Sequence, residues 1–278
     1  MNVIGLGKAG CTIAKELSNY PQYDCYMIDD EIESGDRSYK FPKCDHPEEY
    51  EARAPNLKKF FKSIDEEVLF IVCGASRIAG ASLKILNQIK DCKITVLYIK
   101  PNLDRLTDIK EKMHNVCFGV FQEYARSAVF ERMIIVDNDV VEDVVGDLPI
   151  IGYYDVLNQM IVNVIHMLNV LKNSEPVIGK INEIKDTCRI STIGIVDFES
   201  GEEKKLFSID NVREKCYFYL LKREDLTSSG KLLKTISNQV EEMREPDSRS
   251  SFAIYSSDYD DNFIFSSYHT PHIQGVTL

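Results

Sequence analysis

The chain begins with a glycine turn set between an apolar strand and a helix. Asn2 to Ile4 is short and apolar, Gly5-Leu6-Gly7-Lys8-Ala9-Gly10 follows, and Thr12, Ile13, Ala14 and Leu17 continue at helical spacing. A strand delivered through such a turn into a helix commits the N-terminal region to a βα unit. The turn also lets backbone N–H groups approach a phosphate, and the helix N-terminus adds partial positive charge. A tight turn in an α/β domain without a ligand has the same pattern.

Strands and helices alternate from there to about residue 170. Strands are expected at Val3–Gly5, Cys25–Ile28, Val68–Cys73, Lys93–Ile99, Asn115–Gly119 and Met133–Val136. Helices are expected at Cys11–Asn19, Ala54–Ser63, Ser82–Ile89, Leu106–Met113, Gln122–Phe130 and Tyr153–Leu171. Short apolar strands fed by longer amphipathic helices predict βαβ units and a largely parallel, two-sided sheet. The last helix is the longest and most apolar, so it is expected to be central. Asn173-Ser174-Glu175-Pro176 ends it and the pattern changes. Alternating strands at Arg189–Phe198, Cys216–Leu221, Ser251–Tyr255 and Phe263–Tyr268, with one helix over Ser228–Met243, predict a smaller α+β domain with a mixed sheet. The expected division is 1–172 and 173–278.

Composition narrows the function. At 44% hydrophobic and 28% charged, 278 residues can bury a real core. No apolar run reaches the ~18 residues that would cross a bilayer, and no basic-then-apolar leader precedes the glycine turn. A soluble, cytoplasmic protein is expected. The net charge of −11, without a basic cluster, argues against a nucleic-acid partner. Eight cysteines show no CxxC spacing, and the histidines form no H-x-x-x-H pair. They read as reduced, mostly buried thiols, with no metal site.

Further positions carry a chemical reading beside a plainer one. Asp29, at the end of the second strand, lies about 20 residues after the turn, where an acid would bond a ribose hydroxyl; Asp29-Asp30-Glu31 also suits a solvated loop. The third strand runs into Cys73-Gly74-Ala75-Ser76-Arg77-Ile78-Ala79-Gly80, a second small-residue loop aimed at a helix. Two such loops from neighbouring strands would converge on one ligand, and Arg77 could face phosphate oxygens or solvent. Asn138-Asp139 and Asp147-Leu148-Pro149 read as connecting loop. Asn158, early in the long helix, could read a purine edge through its amide or be solvated. Asn182, Glu183 and Asp186 make no obvious site with residues 5–80 of the same molecule. They suit contact with another molecule, or surface charge.

The order of these pieces resembles the tubulin/FtsZ superfamily over nearly the whole chain. VIGLGKAG is similar to its first glycine loop. Residues 46–75 are similar to the stretch leading into the strand before its phosphate loop, and ITVLYIKP to the next strand. MIIVDNDVVEDVVGDLPIIGYYDVLNQMIVNVI is similar to its I-I-V-P-N-D-x-L stretch and central helix. YFYLLKREDLTSSGKLLKTISNQVEEMREPDSRSSFAIYSSDYDDNFIFSSY is similar to the FtsZ C-terminal domain. The resemblance implies a Rossmann-like GTPase domain, a central helix and a C-terminal α+β domain. It implies GTP or GDP with Mg²⁺, held by Gly5, Gly7, Lys8, Gly10, Cys11, Asp29, Gly74, Ala75, Ser76, Arg77 and Gly80, with Asn158 reading guanine. Glu123 and Arg126, within Phe118–Arg126, are the candidates for its nucleotide-touching Glu and Arg. Head-to-tail self-assembly follows, with Asn182, Glu183 and Asp186 completing the neighbour's pocket and room left for protein adaptors.

Two motifs depart from the family. Its phosphate loop G-G-G-T-G-[ST]-G is replaced by Gly74–Gly80, with glycine only at the ends. In its N-x-D-x-x-[DE] loop, Asn182 in the Asn position puts Ile184 at the first acid; a shift by one places Glu183 and Asp186 on the acids and loses the Asn. Weak or absent hydrolysis is therefore expected. The alternatives are a pseudo-GTPase structural or regulatory subunit that does not bind GTP, and a nicotinamide-dependent oxidoreductase built on Gly5–Gly10 with Asp29 or Asp30.

Overall fold

The structure, a computed structural model, describes residues 1–228 and 230–275. Two compact units are present: Met1–Val162 with the terminal stretch from Ile273, and Asn163–His272.

The first unit is built on β1 (Asn2–Leu6), β2 (Asp24–Asp29), β3 (Ser38–Lys40), β4 (Glu67–Cys73), β5 (Lys93–Lys100) and β6 (Arg132–Asp137). They lie in the order β3-β2-β1-β4-β5-β6, every pair parallel. Leu6 is in register with Ile28 on one side and Val72 on the other. Their C-terminal ends therefore share one edge of the sheet. Val3, Ile4, Leu6, Phe70, Ile71 and Val72 have no exposed surface, as expected of parallel strands covered on both faces. Burial of each such side chain contributes ~1.5–3 kcal/mol.

The helices of this unit are α1 (Gly7–Leu17), α2 (Pro47–Ala52), α3 (Ser82–Leu86), α4 (Asp108–Arg126), α5 (Asn138–Val145) and the first half of α6 (Tyr153–Lys172). Three expectations are corrected here. The strand expected at 115–119 lies inside α4, which joins the two helices expected around it. His114, Phe118, Phe121, Gln122 and Ala125 are buried at helical spacing while Val116 is exposed, so the 3.6-residue period overrides the short apolar run. The helix expected at 54–63 is a series of turns. Pro55 disfavours helical backbone at Ala54. The Gln88 amide satisfies the backbone instead, accepting from Leu57 N–H (2.6 Å) and donating to the Pro55 carbonyl (2.9 Å). The loop expected after β6 is α5, started by the Asp137 side chain accepting from Asp139 N–H (3.1 Å). The terminal stretch is pinned to α4 by a reciprocal amide pair: Gln274 N–H to Gln122 Oε1 (2.7 Å) and Gln122 Nε2 to the Gln274 carbonyl (3.2 Å).

The second unit contains β7 (Ile178–Gly179), β8 (Ile190–Val196), β9 (Glu203–Lys205), β10 (Glu214–Lys222), α7 (Arg223–Ser228), α8 (Leu232–Glu242), β11 (Arg249–Ser257) and β12 (Phe263–Thr270). The strand order is β8-β12-β10-β11-β7, with β9 on β8. Only β10–β11 is parallel, so the sheet is mixed. Ile236 and Val240, one turn apart on α8, pack on Tyr217, Tyr219, Leu221 and Ile254.

Candidate functional site

The site forms on the C-terminal edge of β1, β2 and β4. Gly5 ends within β1 and Gly7 opens α1 at φ +73°, a backbone that β-carbon-bearing residues adopt at a cost. A β-carbon on Gly7 would stand 2.9 Å from Ile78 Cγ2 and 3.0 Å from Ser76 Oγ. The two small-residue loops therefore touch, as their positions on neighbouring strands predict. Gly10 lies against β4; a β-carbon there would be 2.5 Å from the Ile71 carbonyl. Lys8 is exposed at the first turn of α1. No side chain caps that helix and no acid lies in its first turn, so the first N–H groups keep their donor capacity.

Asp29 joins these residues. Cys11 is buried, its thiol within 3.4 Å of the Gly5 carbonyl and 3.5 Å of the Ile28 carbonyl. Burial, and then the Asp29 charge, push that thiol up to about 12, so it is an inert packing group. Burial also raises the Asp29 carboxyl above its usual range, against a hydrogen bond from Asp30 N–H (2.9 Å).

The second loop differs from an open phosphate cradle. Residues Arg77–Ala81 wind into a 3₁₀ turn, with Ala75, Ile78 and Ala79 buried. Gly74 faces the protein: a β-carbon there would run into the Tyr98 hydroxyl and stand 3.0 Å from His114 Nδ1. Gly80 faces α2, where a β-carbon would be 3.0 Å from Pro47 Cα. Tyr50 of α2 also donates to the Asp30 carboxylate, so α2 is tied to the segments following both β2 and β4. Ser76 is half-buried; Arg77 is exposed and forms no ion pair among the described residues.

Beside Gly74, the Tyr98 hydroxyl lies 2.8 Å from His114 Nδ1 in a buried pair. Burial, then the Lys100 charge, hold the imidazole down at about 4. Farther along the edge a polar network fills the ends of β5 and β6. Lys100 pairs with Asp137 (2.6 Å), Asn102 donates to Asp139, Arg105 reaches Glu142 (3.2 Å), and Tyr153 donates to Glu142. Sequence reasoning missed this network because its members are 37 residues apart in the chain for the Lys100 pair. Tyr153 thus fixes the start of α6 at this edge, and Asn158 follows about 7.5 Å farther along the helix. Asn158 is only 8% exposed, and its amide has no hydrogen-bond partner among the described residues.

Glu123 and Arg126 are not brought to the loops. They pair with each other (2.9 Å) in the last turn of α4. The chain leaving that turn meets the start of β5, where Glu131 N–H donates to the Ile94 carbonyl (2.8 Å). That is the opposite edge of the sheet, because α4 runs back antiparallel to the strands. Asn182, Glu183 and Asp186 lie in the second unit, on the loop between β7 and β8, with Glu183 and Asp186 exposed. All eight cysteines are unbridged, and among the described residues no helix is long and apolar enough to cross a membrane.

No protein-family model matches the sequence, and comparison with curated proteins finds no relative. Solved structures do match. FtsZ from M. jannaschii, an empty dimer, superposes with a TM-score of 0.72 at 12% identity, covering 97% of this chain and 87% of its own. TubZ from Bacillus thuringiensis serovar israelensis, a GTPγS-form protofilament, gives 0.72 at 15% identity, covering 96% and 86%. CetZ2 from Haloferax volcanii, a GTPγS-bound protofilament, gives 0.68 at 14%, covering 96% and 92%. The chain has the fold that FtsZ, TubZ and CetZ2 share.

Proposed function

We propose that this chain is a divergent tubulin/FtsZ-like GTP-binding protein that assembles head to tail into filaments, with weak or absent hydrolysis. The observation that carries the reading is the bare N-terminus of α1. Helices ordinarily place a capping side chain or an acid there. This 11-residue helix has neither, and it opens at the strand edge where α/β sheets take ligands. Gly5, Gly7, Lys8, Gly10 and Cys11 would wrap the phosphates by backbone and helix dipole. Ser76 and Arg77 would close on them from the second loop, with Gly74, Ala75 and Gly80 shaping it. Asp29 would accept from a ribose hydroxyl. The unpartnered, nearly buried amide of Asn158 suits a base edge, which offers the paired donor and acceptor it lacks. No group of three or more His, Cys, Asp or Glu side chains among the described residues could hold a metal. Mg²⁺ would therefore be held chiefly through phosphate oxygens.

The GTPγS-bound protofilaments of TubZ and CetZ2 support GTP as the nucleotide and filaments as the product. A heterologous contact repeated without closure gives an open filament. Asn182, Glu183 and Asp186 of one copy would then meet the nucleotide of the next and orient the attacking water.

Calorimetric titration of nucleotide-stripped protein with GTP and Mg²⁺ tests this. A Kd of about 10 μM or tighter is expected, lost in Gly7→Val, with GTP-dependent sedimentation. Asn158→Ala should reduce the preference for GTP over ATP about tenfold, ~1.4 kcal/mol; an unchanged preference removes Asn158 from base recognition.

The filled space at Gly74 and Gly80 favours a second reading, a pseudo-GTPase subunit that keeps the fold without nucleotide. No heat of binding from folded protein, together with sedimentable assembly, would select it.

A further inference from the structure

We propose that Arg249 is a positioning residue: with Glu214 and Ser251 it sets the 180–189 loop in the shape that presents Glu183 and Asp186 to a second copy of this chain. The inference rests on the head-to-tail reading above. Glu214 of β10 and Arg249 of β11 are register partners, as are Cys216 and Ser251 two residues on. Side chains two apart on a strand share a face. Glu214 Oε2 accepts from Arg249 Nε (2.8 Å), and Arg249 Nη2 donates to the Glu183 carbonyl (2.8 Å). Ser251 Oγ accepts from Asn182 N–H (3.2 Å). The backbone is thus held at two consecutive residues.

The carboxylate that holds Arg249 is buried, while the Arg249 side chain (44% exposed) and the working end are not. The Glu214 side chain is 2% exposed, whereas that of Asp186 is 95% exposed. Among the described residues Glu214 Oε1 has no hydrogen-bond partner, and the Lys185 ammonium stands 3.9 Å from it. One planar guanidinium spans a buried carboxylate and a backbone carbonyl, which the single ammonium of lysine cannot reproduce. The loop keeps its shape while Glu183 and Asp186 stay exposed, Asp186 with one carboxylate oxygen 3.6 Å from the Arg189 guanidinium. The exposed cations Lys8 and Arg77 at the glycine-loop edge complement those carboxylates, so the occupant is another copy meeting the loop with that edge.

The test compares wild type with Arg249→Lys, Arg249→Ala and the double variant Arg249→Met with Glu214→Gln, which leaves no unpaired buried charge if Arg249→Ala fails to fold. GTP affinity should stay within twofold of wild type. Sedimentable assembly, and turnover where wild type has it, should fall at least tenfold, and trypsin should cut faster after Lys185. Mixing an Arg249 variant with Gly7→Val should give a 1:1 dimer by analytical ultracentrifugation, because one supplies the intact glycine edge and the other the intact loop, while the next contact along lacks both. Simple instability would not be relieved by mixing. Wild-type assembly in Arg249→Lys and the double variant, or no dimer on mixing, overturns the inference while the GTP reading stands. Wild type that binds no GTP overturns the reading itself and the inference with it. Wild type that binds GTP and never self-associates overturns the inference, since the loop then has no second copy to meet.

Discussion

The two glycine loops of the first unit look alike in sequence and do different things with their glycines. In the first, Gly7 takes a positive φ and leaves the second loop room to approach, at the open end of α1. In the second, Gly74 and Gly80 make room for protein: the Tyr98 hydroxyl with its His114 partner, and the backbone of α2. A missing β-carbon records that something comes close. It does not record whether that something is a phosphate or another part of the chain.

The largest expected effect tests this contrast on stability. Gly74→Ala places a methyl group onto a buried tyrosine, an overpacking change costing about 3 kcal/mol; thermal unfolding would show it, and Tyr98→Phe in the same chain should recover part. A neutral Gly74→Ala would mean that the loop opens freely. Next is acid sensitivity at the same spot. The His114 imidazole titrates at about 4 when folded, against ~6.5 when unfolded. Between those values the unfolded chain takes up a proton that the folded chain refuses, so stability falls as pH drops from about 7 toward 4. At most about 3 kcal/mol is lost by this route. Denaturant midpoints across that range should be flatter in His114→Asn; equal slopes would clear His114.

Gly7→Ala should cost less, about 1–2 kcal/mol from its positive φ, yet reduce GTP affinity at least tenfold. Equal losses in stability and affinity would erase the distinction between the loops. Arg77→Ala is the smallest change: stability within ~0.5 kcal/mol, with GTP affinity reduced a few-fold. Unchanged affinity would leave the second loop without a nucleotide contact of its own.

Much of the chain is legible from local pattern. The strand–turn–helix at residues 2–17 and the strands ending at Asp29, Cys73 and Lys100 follow from apolar runs, glycine placement and period. The misreadings at 54–63 and 115–119 came where the deciding partner was distant: the Gln88 amide for one, the buried face of α4 for the other. Glu123 and Arg126 failed to join the site for a related reason. Their types suit a nucleotide, and only the direction of α4 across the sheet shows which edge they reach.

By itself the sequence determined the alternation of elements, the parallel sheet, the change to a mixed sheet after residue 173 and the two small-residue loops. Each of these is set by steric limits and hydrophobic period within a few residues. Tertiary structure alone decided that the loops touch at Gly7, that Gly74 faces Tyr98, that Asn158 is nearly buried and that Arg249 holds the Glu183 carbonyl. Those outcomes depend on which side chains fill a shared space, and residues far apart in the chain settle that only once the backbone has closed around them.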